Sequence, residues 1–265
     1  MTRLGPVHLT VTDVDRSAGF YQDPIGLRLR DRDDSGDHPV ATLGTEDSAV
    51  LVLHENPAAQ PAGRHAGLYH LALLFPTREE LARALQRLAV TRTPITGASD
   101  HGVSEAIYLN DPDGNGIELY GDRPREAWPP PKSPRERVGM FTEPLDVPDL
   151  IALVDGQDLV RHAGEGLRLG HMHLHVGDVE EAMRFYASEL GLEEMARYPG
   201  AAFVAWDGYH HHLGFNTWRG EGVPPAPADA VGLHHWTVFT DNGAEERMLE
   251  DPSGNRVLLI PDAAL

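Results

Sequence analysis

Three side chains with reactive groups fall within one short stretch, Asp100 to Gly121, which reads DHGVSEAIYLNDPDGNGIELYG. His101 supplies an imidazole that exchanges protons near neutral pH, Tyr108 a phenol that donates a hydrogen bond, and Glu118 a carboxylate. Together they are the parts of an acid–base or metal site. Apart, each has an ordinary reading, and for Glu118 that reading is a surface carboxylate paired with Arg123 or solvated. The cluster DPDGNG favours a tight turn, and the β-rich runs VSEAIYL and IELY flank it, so the stretch predicts a hairpin. Side chains alternate along a strand, which places Glu118 on one face with Gly116 and Tyr120 and opposite to Ile117 and Leu119. DPDGNG lacks the twelve-residue pattern and terminal glutamate of a calcium loop.

The elements that must hold such a hairpin emerge when the chain is laid on itself. LGPVHLTVTDVDRSAGFYQDPIGL from Leu4 matches LGHMHLHVGDVEEAMRFYASELGL from Leu169, with His8 on His173, Asp13 on Asp178, Tyr21 on Tyr186 and Gly26 on Gly191. In the same register GLYH at Gly67 falls on GLHH at Gly232, and DPDGN at Asp111 has a counterpart in DPSGN at Asp251. Each half divides again into units of strand, helix and three strands. A strand such as VHLTV precedes a capping Asp and an amphipathic helix, and LRLRDRDD, HPVATLG and AVLVLHE follow as strands. The second unit opens at GLYHLALLF, continues through the helix TREELARALQRLAV and closes in the hairpin. The third contains LGHMHLHV and strands within AAFVAWDGYHHHLGFN. The fourth is too short for the full set and predicts a lobe open on one side. The expected fold class is α+β, built of tandem βαβββ modules with the last one shortened. The expected division is 1–122, a proline-rich linker at 123–167 with a short helix in VPDLIALVDG, and 168–265.

Composition narrows the chemistry. The 265 residues include 41 acidic and 22 basic side chains, a formal net charge of −19, which repels phosphate backbones and argues against nucleic acid as a partner. No apolar run reaches the roughly 18 residues of a membrane span, and the N-terminus lacks a secretory pattern, so no membrane partner and a cytoplasmic location are expected. There is no cysteine, so any metal must be held by nitrogen and oxygen, and the fifteen histidines are the natural source of the nitrogen.

Paired βαβββ units with FY, GL and DPxGN motifs resemble the vicinal oxygen chelate superfamily, which includes glyoxalase I, type I extradiol dioxygenases and fosfomycin and bleomycin resistance proteins. DHGVSEAIYLNDPDGNGIELYG is similar to the segment that supplies a histidine, a tyrosine and the metal-binding glutamate in the catechol 2,3-dioxygenase branch. The resemblance implies two vicinal-oxygen-chelate domains. It implies Glu118 and His70 as metal ligands, with His101 and Tyr108 beside bound substrate. The family's remaining ligand position falls on Pro6, which cannot coordinate, and His8, two residues along the same strand face, is the substitute. In the second half the resemblance assigns His171, His212 and His235 to a second candidate metal cluster, with Leu258 where the glutamate would stand. His171, His173 and His175 alternate along one strand, which also reads as a packing face.

The expected function is therefore a non-haem Fe(II) extradiol-type dioxygenase, with Mn(II) or another divalent ion as the alternative cofactor, acting on a small catecholic substrate with O₂. The ligand set His8, His70 and Glu118 would leave positions free for both. The alternatives are a binding protein that sequesters a small antibiotic without catalysis, and a glyoxalase-like isomerase. A homo-oligomer is a further expectation, since the shortened module leaves a sheet edge to cover.

Overall fold

The computed structural model describes residues 2–133, 136–240 and 245–262. The first module comprises β1 (Arg3–Val11), α1 (Val14–Gln22), β2 (Arg28–Asp33), β3 (Val40–Gly44) and β4 (Ala49–Glu55), with a two-residue β5 (Gln60–Pro61) after it. The second has β6 (Gly67–Phe75), α2 (Arg78–Thr91), β7 (Gly97–Asp100), β8 (Ser104–Asn110) and β9 (Gly116–Asp122). Between the halves lie β10 (Glu143–Pro144) and α3 (Val147–Ala152). β11 (Arg168–His175), α4 (Val179–Leu190), β12 (Glu193–Tyr198), β13 (Ala201–Ala205) and β14 (Leu213–Asn216) form the third module. The fourth has β15 (Ala230–Thr240), β16 (Arg247–Glu250) and β17 (Arg256–Pro261), with no helix among the described residues. The α+β class and the shortened last module are as the sequence predicts.

Local signals explain where the helices begin. Asp13, Thr77 and Asp178 are extended residues whose side chains accept backbone N–H groups of the first turns of α1, α2 and α4. Gly191 ends α4 in the left-handed conformation, at φ 65°.

The sheets are not divided at 123–167. One sheet runs β16-β17-β15-β1-β4-β3-β2 and joins the fourth module to the first, with β5 pairing off β15; the other runs β10-β7-β8-β9-β6-β11-β14-β13-β12 and joins the second to the third. Each sheet thus draws one module from each half of the chain. The seams are antiparallel, β1 with β15 and β6 with β11, and each contains a bulge. On β11, Met172 and Leu174 enter the main apolar core while His171, His173 and His175 turn to the other face, so the alternation of GHMHLHV is an inside–outside code.

The repeated FY and DPxGN motifs prove to be two ends of one contact. The Tyr21 hydroxyl on α1 donates to Asp111 Oδ2 at 3.2 Å, and Tyr186 on α4 donates to Asp251 Oδ2 at 2.8 Å. In both turns the aspartate Oδ1 also accepts backbone N–H groups, of Asp113 and Asn115 in one and Ser253 and Asn255 in the other. Both tyrosines are fully buried, and burial with the facing carboxylate holds each phenol well above its ordinary range. The bonds tie module one to module two and module three to module four, across the division between the sheets. Tyr186→Phe leaves a buried carboxylate one donor short. It should lower unfolding free energy by about 1–3 kcal/mol in a urea titration; a change within error would show that Asp251 finds its donors elsewhere.

Candidate metal centre

β6 is the central strand of the site. Its Ala72 pairs with His171 on β11 on one side and with Glu118 on β9 on the other, and His70 lies two residues away on the same face. Three ligand-type side chains from three adjacent strands therefore converge over one small residue. His70 Nε2 is 3.0 Å and His171 Nε2 3.1 Å from Glu118 Oε2, and the three ligand atoms lie within 4.8 Å of one another. All three residues are buried, with Glu118 at 3% exposure.

This is the one group of three or more histidine and acidic side chains, among the described residues, with the spacing of a metal site. His70 Nε2 is buried and, despite its closeness to Glu118, makes no hydrogen bond of acceptable angle. Two nitrogen lone pairs and a carboxylate oxygen aimed at a common point, one of them unpartnered, fit a divalent cation. Burial pushes the Glu118 carboxyl up, but His171 and His70 outweigh it and hold the group well below its usual range. Burial in turn lowers His171 to about 4 against the opposing pull of Glu118. An ionised carboxylate beside the neutral imidazole of His171 is the form that binds metal.

The sequence expectation placed His8 with His70 and Glu118. The structure places His8 in the other sheet, opposite His235 on β15, with the two rings stacked at 3.9 Å. His171 takes the third place instead, because β11 and not β1 is the strand that pairs with β6. The expected group His171, His212 and His235 is likewise dispersed. His235 stands in the β1 sheet, and His212 lies in the loop between β13 and β14, where its Nδ1 accepts the Trp206 N–H. Arg123 pairs with Asp100 and Glu105 and leaves Glu118 to the histidines.

His101 and Tyr108 line the same cavity as His70 and Glu118, a space of about 600 Å³. The Phe141 carbonyl accepts from His101 Nδ1 at 2.9 Å, which directs Nε2 to the Tyr108 hydroxyl at 2.8 Å. With Nδ1 carrying the hydrogen, Nε2 is the acceptor and Tyr108 the donor. Burial, and then the charge of Glu118, keep the Tyr108 phenol well above its ordinary range. Apolar and aromatic walls come from Val103, Met140, Phe141, Phe203 and Trp218.

Two contributions were not foreseen. Met140 and Phe141 belong to the segment expected to be a linker, yet they wall the cavity, and Phe141 anchors His101. Their approach requires Gly102, at φ +76°, where a Cβ would meet the Phe141 ring at 2.5 Å. The other contribution is His211. Asp122 accepts from His210 Nε2 at 2.9 Å, His210 Nδ1 meets His211 Nδ1 at 2.8 Å, and the His211 ring lies 4.1 Å from that of His171. The carboxylate sets the tautomer of His210, which makes His211 Nδ1 the donor of the pair. The run YHHH was the available signal, but the resemblance assigns its last histidine, His212, and not His211.

Residues 3–119 match the family described as Glyoxalase/Bleomycin resistance protein/Dioxygenase superfamily. A catechol-2,3-dioxygenase from Bacillus subtilis (strain 168) is 41% identical over 251 residues, covering 92% of this chain and 85% of that protein. Biphenyl-2,3-diol 1,2-dioxygenase 2 from Rhodococcus globerulus is 30% identical over 125 residues, 45% of this chain and 61% of that protein. Among solved structures, glyoxalase I from Zea mays aligns with a TM-score of 0.62 at 17% identity, over 98% of this chain and 92% of its own, and shows the shared fold. With a relative this similar along nearly its whole length, the chain belongs to the glyoxalase/bleomycin resistance/dioxygenase superfamily.

Proposed function

We propose that the protein is an Fe(II)-dependent extradiol dioxygenase that opens a small catecholic ring with O₂. The observation that carries this reading is the buried set of His70, Glu118 and His171, two imidazoles and one carboxylate, opening on an aromatic-walled cavity. That donor set is the one by which non-haem Fe(II) oxygenases keep coordination positions free. The similarity to the Bacillus subtilis catechol-2,3-dioxygenase supports both the reaction type and the substrate class. Held by these three residues, ferrous iron would supply Lewis acidity toward a catechol and a redox path by which the ring's own electrons reach O₂.

The protein's own residues then have separable tasks. Phe141, Phe203 and Trp218 supply flat apolar surface that accepts a ring and excludes water. A catechol hydroxyl arriving beside Tyr108 has a route for its proton. The Tyr108 oxygen accepts it while the Tyr108 hydrogen passes to His101 Nε2, and Nδ1–H stays anchored on the Phe141 carbonyl. The proton is thus held away from the metal-facing oxygens until it is needed by the product.

Anaerobic Fe(II) loading followed by oxygen-electrode assays with catechol tests this reading. Wild type should consume oxygen in step with ring opening. Glu118→Ala and His171→Ala should lose the iron that supports turnover, whereas His8→Asn should keep it. Oxygen uptake undiminished in His171→Ala would sink the ligand assignment, and turnover of a thiol adduct without oxygen demand would replace the reaction by an isomerisation. His101→Ala should retain iron and lose about 10²–10⁴-fold in kcat. Loss of iron from that variant would make His101 a ligand.

A further inference from the structure

The chain's 22 basic side chains include a single lysine, Lys132, and it lines the cavity that holds His70 and Glu118. Its Nζ stands 5.9 Å from the centroid of the Phe141 ring, the residue whose carbonyl also anchors His101. The segment around Lys132 is fixed to the protein on either side of it. Trp128 Nε1 donates to the Arg123 carbonyl at 2.8 Å, the Arg137 N–H to the Met195 carbonyl at 2.8 Å, and the Tyr198 hydroxyl to the Met140 carbonyl at 3.3 Å. Glu136 accepts the backbone N–H of Lys132 at 2.9 Å, yet among the described residues the Lys132 ammonium forms no ion pair.

We propose that Lys132 sets the substrate class of this cavity, a class that rests on the dioxygenase reading above: a catechol whose ring carries a carboxylate-bearing substituent. The carboxylate pairs with the Lys132 ammonium while the two hydroxyls face the metal ligands. Among the described lining residues the sole carboxylate is Glu118, and it is occupied by His70 and His171. Lys132 is the one side chain there that is cationic whatever the protonation of the imidazoles. A space of about 600 Å³ falls in the range that holds ligands larger than a bare catechol, so it has room for the substituent.

Charge makes the placement selective. A chain of net charge −19 repels organic anions as a whole, and an unpaired ammonium at the cavity offsets that repulsion where a substrate enters. Contact with the Phe141 ring is a weak hold on the ammonium, and a carboxylate competes for it. Lys132 is exposed, so its flexible stem can bring a point charge to the substituent.

Oxygen-uptake kinetics of the Fe(II)-loaded protein with 2,3- and 3,4-dihydroxyphenylacetate, each beside its neutral amide, test the proposal. At least one acid should exceed its amide by about five- to tenfold in kcat/KM. The difference should lie in KM, because the substituent is remote from the ring bond that breaks, and it should shrink as salt is added. Lys132→Met should bring acid and amide level, Lys132→Arg should keep most of the preference, and Lys132→Glu should reverse it. Acid and amide used equally well by wild type in both series, or a preference that survives Lys132→Met, would overturn it. Anaerobic calorimetry on the same Fe(II)-loaded proteins reads the preference without turnover. If no catechol is opened, the dioxygenase reading fails. Tighter binding of an acid than of its amide, lost in Lys132→Met, would still support the role of Lys132, and equal binding would refute it.

Discussion

Pairing of β6 with β11 decides what the first centre is made of. These strands come from different halves of the chain, and their antiparallel register sets His171 beside Ala72 while β9 brings Glu118 to the other side of the same residue. A one-residue slip would turn His171 to the apolar face, where Met172 and Leu174 enter the core. The rest of the second sheet supports that geometry, and the extended segment at Phe141 completes it by fixing one nitrogen of His101.

The two sheets are held to one another by contacts that repeat with the sequence. Tyr21 reaches the turn of the second module and Tyr186 that of the fourth, so each phenol secures a hairpin it is not paired with in any sheet. Buried carboxylates of this kind are costly unless fully bonded, and Asp111 and Asp251 are each met by backbone, asparagine and tyrosine donors. The same duplicated frame carries two very different histidine groups. One has a carboxylate and a deep cavity. The other has stacked rings, Pro6 and Leu258.

Much of this was legible in the sequence because it is local. The module pattern follows from strand alternation, capping aspartates and the DPxGN turns, and the short fourth module follows from spacing alone. His101, Tyr108 and Glu118 stand out by type and position and His70 through the family resemblance, and all four line one cavity. Partnership between modules was not legible. His8 and His171 both stand on opening strands with similar neighbours, and only long-range pairing, which no local propensity specifies, says which of them faces β6. His212 failed for a different reason. YHHH has no alternation to reveal that Trp206 to His212 leave the sheet, and there His211, not His212, turns to the cavity.

The modules are nested in the order in which they are joined, second with third inside first with fourth. A ribosome releases the chain from its N-terminus, so the inner sheet has all its strands once Asn216 has emerged, whereas β1 must wait for β15 and β17. Closing the outer sheet also spans the longest loop in the molecule, and the inner sheet, once formed, shortens that search by bringing the chain ends toward each other. The duplicated architecture therefore imposes a sequence of assembly. The pocket with the buried carboxylate uses strands complete by Asn216, whereas the stacked pair of His8 and His235 needs β15.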